Sequence, residues 1–184
     1  TLDYTEMDPA IIDSIKSHET EVIQKELADW RVHIINRDGR YFLRTTKNNY
    51  DLLIIGASCP DNLETNRYFS SEFFALAKSR LSPGGILALW MPGSVTYLSP
   101  EYQNLNAGIL AALKKSYPYI RVIAGDYTIY LASGSGQIKA VSPALLTQRI
   151  RQREINTKLL IPDYLEYRLN RQEEQRFYQA ISKS

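Results

Sequence analysis

The sequence predicts an α/β protein in which a largely parallel sheet is covered by helices on both faces. Three observations support this class. Short apolar runs typical of strands alternate along the chain with segments of helical periodicity. The run at residues 51–55 is almost entirely apolar, which indicates a strand buried on both faces of a parallel sheet. Two strand-like runs also follow each other directly around Gly125-Asp126, which predicts an antiparallel hairpin.

The first 50 residues predict two strands, two helices and a polar segment that is helical in part. Asp8 is suited to be the N-cap of the first helix, and Pro9 fits its first turn. In chain order we expect a strand at 2–7, a helix at 9–16, the polar segment at 17–29, a strand at 31–35 and a short helix at 40–44.

The rest of the chain continues the alternation and ends in helices. After strand 51–55 we expect a polar loop to Arg67, and then a helix that Ser70 begins. Residues 82–85, Ser-Pro-Gly-Gly, predict a tight turn into the next strand. The later elements are a strand at 86–91, a helix at 100–116, strands at 120–124 and 127–132, and helices from Pro143 to residue 182, interrupted near Pro162.

This order predicts a three-layer α/β/α arrangement. The antiparallel hairpin on a parallel sheet indicates a methyltransferase-type Rossmann-like fold, the class of S-adenosylmethionine-dependent transferases, rather than a nucleotide-binding Rossmann fold. Such folds start with a strand and a Gly-rich loop, and both are expected ahead of Thr1 and so absent from this chain. Residues 1–140 are predicted to form a partial adenosyl-binding domain. Residues 141–184 are predicted to be a helical extension packed on it.

Composition bounds the function from another side. The 184 residues are 44% hydrophobic and 23% charged, as in a soluble globular domain. A net charge of +2 is too small to indicate either nucleic acid or an anionic membrane surface as a partner. The single cysteine excludes an internal disulfide and fits a reducing compartment. The longest apolar runs are far shorter than the roughly 20 residues of a membrane span, so we expect the chain itself to be cytoplasmic.

Two carboxylates stand where an adenosine would bind. An acidic residue at the end of the second strand of such a sheet accepts hydrogen bonds from a ribose diol, and Glu6 is so placed. After the next strand, Asp38-Gly39 would present a carboxylate to an adenine amino group. The alternative for each is a solvated helix cap.

Four stretches in this order resemble the spermidine synthase (polyamine aminopropyltransferase) family: TEMDP, RDGRYFLR, YDLLIIGASCPD and RYFSSEFFALAKSRLSPGGILAL. The family transfers an aminopropyl group from decarboxylated S-adenosylmethionine to an amine such as putrescine. The resemblance implies that Glu6 binds the ribose, that Asp38 binds the adenine, and that Gly39 allows close approach. Decarboxylated S-adenosylmethionine or S-adenosylmethionine is the implied cofactor. The stretch NRYFSSEFF and the later ALWMPGSVTYLSPEYQNLNAGIL resemble one branch, in which the synthase-like domain follows a multi-pass membrane region. That resemblance implies a parent protein in the inner membrane with this domain on the cytoplasmic side.

The chain departs from the family in the loop after strand 51–55. The family pattern there is Asp-Ser-x-Asp-Pro, and its first aspartate orients and deprotonates the attacking amine. Here both aspartates are replaced, by Gly56 and Cys59, and Asp61 is a possible substitute two residues later. A positioned base contributes roughly 100- to 10,000-fold to such a step. We therefore assign no catalytic residue and expect little aminopropyl transfer by this chain.

The remaining chemistry-bearing residues are interpreted structurally. Cys59 has no histidine close in sequence to activate it. His18 and His33 lack the spacing of a metal site, so no metal is predicted. The arginines at 149, 151 and 153 lie on a mixed-charge helix and are interpreted as a solvated face rather than a phosphate site.

Three functions stay open on this basis. The first is a spermidine synthase-type transferase domain, inactive as given or acting on a nonstandard amine. The second is a degenerate module that senses an adenosyl ligand or a polyamine for an attached membrane region. The third is an interaction domain, in which Glu6→Ala and Asp38→Ala change only local stability. In each, the strands at 2–6 and 51–55 are expected to have free edges. Either the sheet closes up, a second copy or an upstream membrane region contributes a strand, or this part of the fold is disordered.

Overall fold

The computed structural model describes residues 1–57, 59–94 and 96–182. The chain forms two compact units, Thr1–Asn48 and Asn49–Ser184. Each unit has its own sheet. The division predicted at residue 140 stays a prediction. No helix within the described ranges is both long and apolar enough to cross a bilayer.

The first unit is a two-stranded parallel sheet with three helices. Its register runs from Leu2 opposite Val32 to Glu6 opposite Asn36. Asp8 caps the first helix as predicted, because its carboxylate accepts a hydrogen bond from the Ala10 amide at 2.9 Å. In chain order the elements are β1 (Leu2–Glu6), α1 (Pro9–Ser17), α2 (Glu21–Leu27), β2 (Val32–Asn36) and α3 (Gly39–Thr45).

The second unit is a four-stranded mixed sheet in the order β3-β4-β6-β5, with six helices in its described part. β3 and β4 are parallel, and β6 is antiparallel to both of its neighbours, which confirms the predicted hairpin. The elements are β3 (Tyr50–Ile54), α4 (Leu63–Asn66), α5 (Ser71–Ser79), β4 (Leu81–Pro92), α6 (Pro100–Lys114), β5 (Tyr119–Ile123), β6 (Tyr127–Ser133), α7 (Pro143–Gln152), α8 (Pro162–Arg168) and α9 (Arg171–Ile181).

The core of this unit follows the period of its elements. Alternate residues of β4 are fully buried, as are the inward positions of α5 and α6. One buried polar pair is part of this core: the Tyr130 hydroxyl donates to Asn106 Oδ1 at 2.7 Å, and Asn106 Nδ2 donates to the Tyr102 carbonyl at 2.7 Å. Because both groups are satisfied, they fix α6 against β6 without an unpaired polar atom between them.

The prediction that strand 51–55 is buried on both faces is wrong. Leu52 and Ile54 are 52% and 58% exposed. The two residues lie on the same face of β3, and the residues of the other face, Leu53 and Ile55, are more buried. Because β3 is an edge strand that pairs with β4 alone among the described strands, it has fewer neighbours to cover both faces. The expected free edges are confirmed within the described ranges, since β1 likewise pairs with β2 alone.

Two local predictions are also corrected. The stretch before Arg67 is not all loop, because Asn62 and Thr65 form a capping box that begins α4. Residues 82–85 are not a separate turn but belong to β4 as a bulge, where the register shifts between Tyr50 and Leu52. Gly84 adopts φ +79° in this bulge, a conformation that glycine tolerates.

Two arginines tie the C-terminal segment to the hairpin. Arg121, which is buried in β5, donates to the carbonyls of Ile138 and Val141. Arg168, at the end of α8, donates to the Ala124 carbonyl at 3.2 Å and to the Tyr127 carbonyl at 3.4 Å. The helices after residue 141 therefore pack on the strands of the second unit.

Candidate functional site

The two carboxylates predicted to hold an adenosine lie at the same edge of the first unit's sheet. Glu6 is the last residue of β1, and Asp38 follows β2 by two residues. Asn36 joins the two strand ends, because its side-chain amide donates to the carbonyls of Glu6 at 2.9 Å and Met7 at 3.2 Å. In a parallel sheet this carboxyl edge is where ligands bind.

Glu6 is half-buried, and its orientation is fixed by its own loop. Its Oε1 accepts a hydrogen bond from the Asp8 amide at 2.9 Å, and the Tyr4 hydroxyl donates to Oε2 at 3.5 Å. The pKa of Tyr4 is raised, first by burial and then by the charge and hydrogen bond of Glu6. A carboxylate has about four acceptor positions, so an oriented Glu6 fits a ribose diol.

Asp38 is the N-cap of α3, as the alternative interpretation expected. Its Oδ1 accepts a hydrogen bond from the Tyr41 amide at 2.8 Å, and Gly39 is the first helical residue. The cap holds the half-buried carboxylate in one position at the sheet edge. A capping carboxylate keeps acceptor capacity for a further donor such as an amino group, so both roles are chemically compatible.

The loop after β3 offers no base at the positions where the family pattern has one. Gly56 has no side chain, and an added Cβ there would meet nothing within 4 Å. The pKa of the half-buried Cys59 thiol is raised, first by burial and then by the charge of Asp61. At neutral pH this thiol is therefore protonated and a poor nucleophile. Ser58, which lies between them, is outside the described residues.

Asp61 is exposed and takes part in the start of α4. Its Oδ1 accepts hydrogen bonds from Asn62 Nδ2 at 3.0 Å and from Thr65 Oγ1 at 3.1 Å. These bonds orient the carboxylate toward its own helix. Its use as a substitute base stays a prediction.

Sequence reasoning missed two residues of the carboxyl edge, Tyr4 and Asn36. The signal for Tyr4 was its place two residues before Glu6, on the same side of a strand. The signal for Asn36 was its place at the end of β2, but its contact with Glu6 follows from the strand register, which the sequence does not state.

Two other features of the first unit add no site chemistry. A shallow concavity of about 500 Å³ lies at the opposite, amino end of β2, lined by Lys25, Ala28, Asp29, Trp30 and Arg31. Its Asp29 and Arg31 form an ion pair at 2.6 Å, and hydrogen bonds from Arg31 lower the pKa of Asp29 to about 2. The Nδ1 atom of His33 lies 2.8 Å from Oδ1 of Asp3. Across the described ranges, no three metal-ligating side chains of His, Cys, Asp or Glu come together.

Known proteins resemble the chain at both levels, sequence and fold. A polyamine aminopropyltransferase of Alkaliphilus oremlandii is 35% identical over 132 residues, which are 70% of this chain and 44% of that protein. One of Oceanobacillus iheyensis is 30% identical over 84 residues, 45% of this chain and 16% of that protein. The chain thus spans less than half the length of these curated relatives.

The fold has solved counterparts. A spermidine synthase in complex with the transition state analogue AdoDATO superposes with a TM-score of 0.74 at 17% identity, covering 96% of this chain and 61% of that one. Human methyltransferase-like protein 13 in complex with SAH gives a TM-score of 0.50 at 17% identity, covering 98% and 69%. The predicted methyltransferase-type Rossmann-like fold is confirmed by these likenesses.

The family profile described as "Spermine/spermidine synthase domain" matches residues 1–136. That range holds both carboxylates at the β1–β2 edge and the loop after β3 that lacks the family's aspartates. The chain therefore belongs to the spermine/spermidine synthase domain family.

Proposed function

We propose that the chain is an adenosyl-binding domain of spermidine synthase type, and that it binds decarboxylated S-adenosylmethionine or S-adenosylmethionine. The observation that carries this proposal is the pair of oriented carboxylates, Glu6 and Asp38, at one carboxyl edge. Glu6 accepts the ribose hydroxyls, Asp38 accepts the adenine amino group, and Gly39 admits the ring next to the start of α3. A related structure holds AdoDATO and another holds SAH, which supports an adenosyl ligand.

The chemistry of the family divides into holding the cofactor and preparing the amine. When bound, decarboxylated S-adenosylmethionine supplies an aminopropyl carbon attached to a sulfonium. Transfer to an amine forms a C–N bond, breaks the C–S bond, releases methylthioadenosine and requires the amine to give up a proton. An amine is largely protonated at neutral pH, so a base contributes roughly 100- to 10,000-fold.

The loop after β3 favours a second candidate, a module that binds an adenosyl ligand or a polyamine without turning it over. Gly56 has no carboxylate, the Cys59 thiol is protonated, and Asp61 is engaged by Thr65. A diamine cation in a cleft needs carboxylates for binding as well as for deprotonation. We place this candidate close behind a slow or nonstandard transferase.

The surroundings of the domain are part of the same proposal. Among the described strands, β1 pairs with β2 alone and β3 with β4 alone, and an unpaired apolar edge is an aggregation hazard. We infer that an upstream segment of a longer polypeptide or a second copy supplies that strand. The resemblance to the membrane-attached branch supports a parent protein with this domain on the cytoplasmic side of the inner membrane.

Calorimetric titration of 5′-methylthioadenosine into the full-length native protein tests the adenosyl site. Glu6→Gln and Asp38→Asn remove each charge but keep an oxygen for the Asp8 and Tyr41 amides, so the fold is retained. We expect each to weaken binding by about 10- to 100-fold, the value of a charged hydrogen bond. Asp13→Asn, which removes an exposed carboxylate of α1, is the matched control and leaves binding unchanged. Equal affinity in all four proteins refutes the site.

A turnover assay separates the two candidates. The protein is incubated with decarboxylated S-adenosylmethionine and putrescine, and released methylthioadenosine is quantified by chromatography. Release above a heat-inactivated control supports the transferase. Binding without release supports the sensing module over a transferase that uses putrescine.

A further inference from the structure

A short segment between α7 and α8 carries aliphatic side chains that the fold leaves in solvent. We call Ile155, Leu159, Leu160 and Ile161 the apolar tip. Leu159 is 77% exposed, and the other three are 43–49% exposed. A leucine exposed to this degree stands off the surface rather than lining a cleft. Scattered exposed apolar residues are ordinary, but four within seven positions are a local concentration, and concentrated exposed apolar area is typical of interaction sites.

The apolar tip is held by ordered turns at both ends. The end of α7 is a Schellman motif, in which the Ile155 amide donates to the Ile150 carbonyl at 3.0 Å and the Glu154 amide to the Arg151 carbonyl at 3.1 Å. Glu154 occupies the left-handed position of this motif, with φ 52°. Thr157 Oγ1 then accepts hydrogen bonds from the amides of Leu159 and Leu160.

The far end of the tip is anchored through α8. Pro162 begins that helix, Leu165 is buried, and Arg168 is bonded to the hairpin carbonyls. The backbone of the tip is therefore ordered at both ends, while its aliphatic side chains stay exposed.

Positive charge is concentrated beside the tip. Residues 149–158 hold four cations and one carboxylate, a net charge of +3, whereas the whole chain carries only +2. The four cations are Arg149, Arg151, Arg153 and Lys158. All are exposed, and none has a side-chain hydrogen bond or ion pair within the described ranges. Their charge is not neutralised by the chain itself.

We propose that residues 149–161 dock on the surface of an anionic lipid bilayer. The cations are attracted to the lipid headgroups, each worth a several-fold gain in affinity close to such a surface. The aliphatic tip inserts at the boundary between headgroups and acyl chains, where apolar area leaves water. An acidic polymer would satisfy the cations but not the aliphatic side chains, and a neutral apolar partner would leave the cations unmatched.

The exposed side chains of α8 limit how far the docking surface extends. Tyr164 and Tyr167 are exposed on this helix, and tyrosine is enriched at membrane–water interfaces. Asp163 and Glu166 are exposed on the same helix, and anionic headgroups repel both carboxylates, so the docking surface ends at Pro162. This inference is independent of the proposed function, because it shares no residue with the adenosyl site and needs no cofactor.

Vesicle co-sedimentation of the purified 184-residue chain tests the proposal. The probes are phosphatidylcholine vesicles with and without about one-third phosphatidylglycerol, at low and high salt. We expect binding to the anionic vesicles only, and at least tenfold weaker binding at about 0.5 M salt because the headgroup attraction is screened.

Three variants assign the binding to the two features. Leu159→Asp and the triple change of Arg149, Arg151 and Arg153 to Gln each lower the partition coefficient at least tenfold. Val22→Asp replaces a comparably exposed aliphatic side chain in α2 and leaves it unchanged. All the substituted residues are exposed, and the Tm of each variant is compared with that of the parent chain.

Three outcomes would overturn the proposal, and each has a different meaning. Binding that Leu159→Asp leaves intact while the arginine variant abolishes it identifies a simple polyanion site and overturns the proposal. Equal binding to neutral vesicles overturns it as well. A dimer in light scattering that Leu159→Asp dissociates, without vesicle binding, assigns the tip to a second copy of the chain and also overturns it.

Discussion

The close approach of Arg168 to the β5–β6 turn makes Gly125→Ala a sharp test of how the C-terminal helices are held. An added Cβ at Gly125 would overlap Nη1 of Arg168 and lie 3.0 Å from its Cζ. The φ angle of Gly125 is outside the left-handed region, so alanine brings no backbone strain of its own. The whole effect therefore comes from displacing the guanidinium.

The expected cost follows from the bonds that the displaced guanidinium loses. These are the hydrogen bonds to the carbonyls of Ala124 at 3.2 Å and Tyr127 at 3.4 Å. A hydrogen bond from a charged donor contributes about 1.5–3 kcal/mol, and the second of these bonds is long and exposed. We expect Gly125→Ala to lower the free energy of unfolding by about 1.5–3 kcal/mol, which lowers Tm by about 3–12 °C in a chain of this size.

A double-mutant cycle in urea unfolding isolates this contact. Arg168→Ala alone removes the hydrogen bonds, so Gly125→Ala should cost little more in that background. Gly108→Ala is the matched control: Gly108 is exposed within α6, an added Cβ there meets nothing within 4 Å, and we expect up to about 1 kcal/mol of stabilisation. An equal cost of Gly125→Ala with and without Arg168 would show that the guanidinium contact is not the cause.

Three further predictions concern the loop, a cap and pH. Gly56→Asp combined with Cys59→Asp should raise aminopropyl transfer to putrescine by about 100- to 10,000-fold, measured as methylthioadenosine release; unchanged turnover would contradict it. Glu154→Gly should relieve the left-handed strain at the end of α7 and raise the free energy of unfolding by about 0.5–1 kcal/mol in thermal unfolding, whereas a loss of stability would contradict the motif. Burial, and then the charge of Glu174, raises the pKa of Tyr178 to about 12 from an ordinary 10.0. The contribution of Tyr178 to the free energy of unfolding should therefore be constant below pH 10 and be lost as the pH rises from 10 toward 12, because the unfolded state ionises first; a flat stability profile between pH 10 and 12 would contradict it.

Local chemistry made much of the fold predictable. The N-caps Asp8 and Ser70 were identified because their side chains bond to amides two or three residues away, which sequence alone specifies. The exposure of β3 was not, because an apolar run tells which residues suit a buried strand and not which neighbours are present. The helix at Leu63–Asn66 is too short to show periodicity, and its only sequence signal is the capping box of Asn62 and Thr65.

The candidate site, like the fold, could be predicted from the sequence only in part. Glu6 and Asp38 were predictable as a pair because the carboxyl ends of parallel strands converge at one edge. The bridging amide of Asn36 was not, because it depends on a register that pairs Glu6 with Asn36 and no other residue. A shift of one residue would turn that side chain to the other face of the sheet.

In the loop after β3, the backbone leaves space for a side chain at Gly56, but the carboxylate charge is missing. The space at Gly56 accepts a side chain without contact, and its φ angle permits one, so an aspartate is absent there for no steric reason. Cys59 lies two residues before Asp61, whose charge helps to keep the thiol protonated. An aspartate at position 59 would meet the same field, which raises the pKa of a carboxyl group and makes it a stronger base rather than a weaker one. Gly56 and Cys59 could therefore be replaced by aspartates without a steric obstacle at Gly56. Gly56→Asp combined with Cys59→Asp tests whether the missing carboxylates, and not the backbone of the loop, limit aminopropyl transfer.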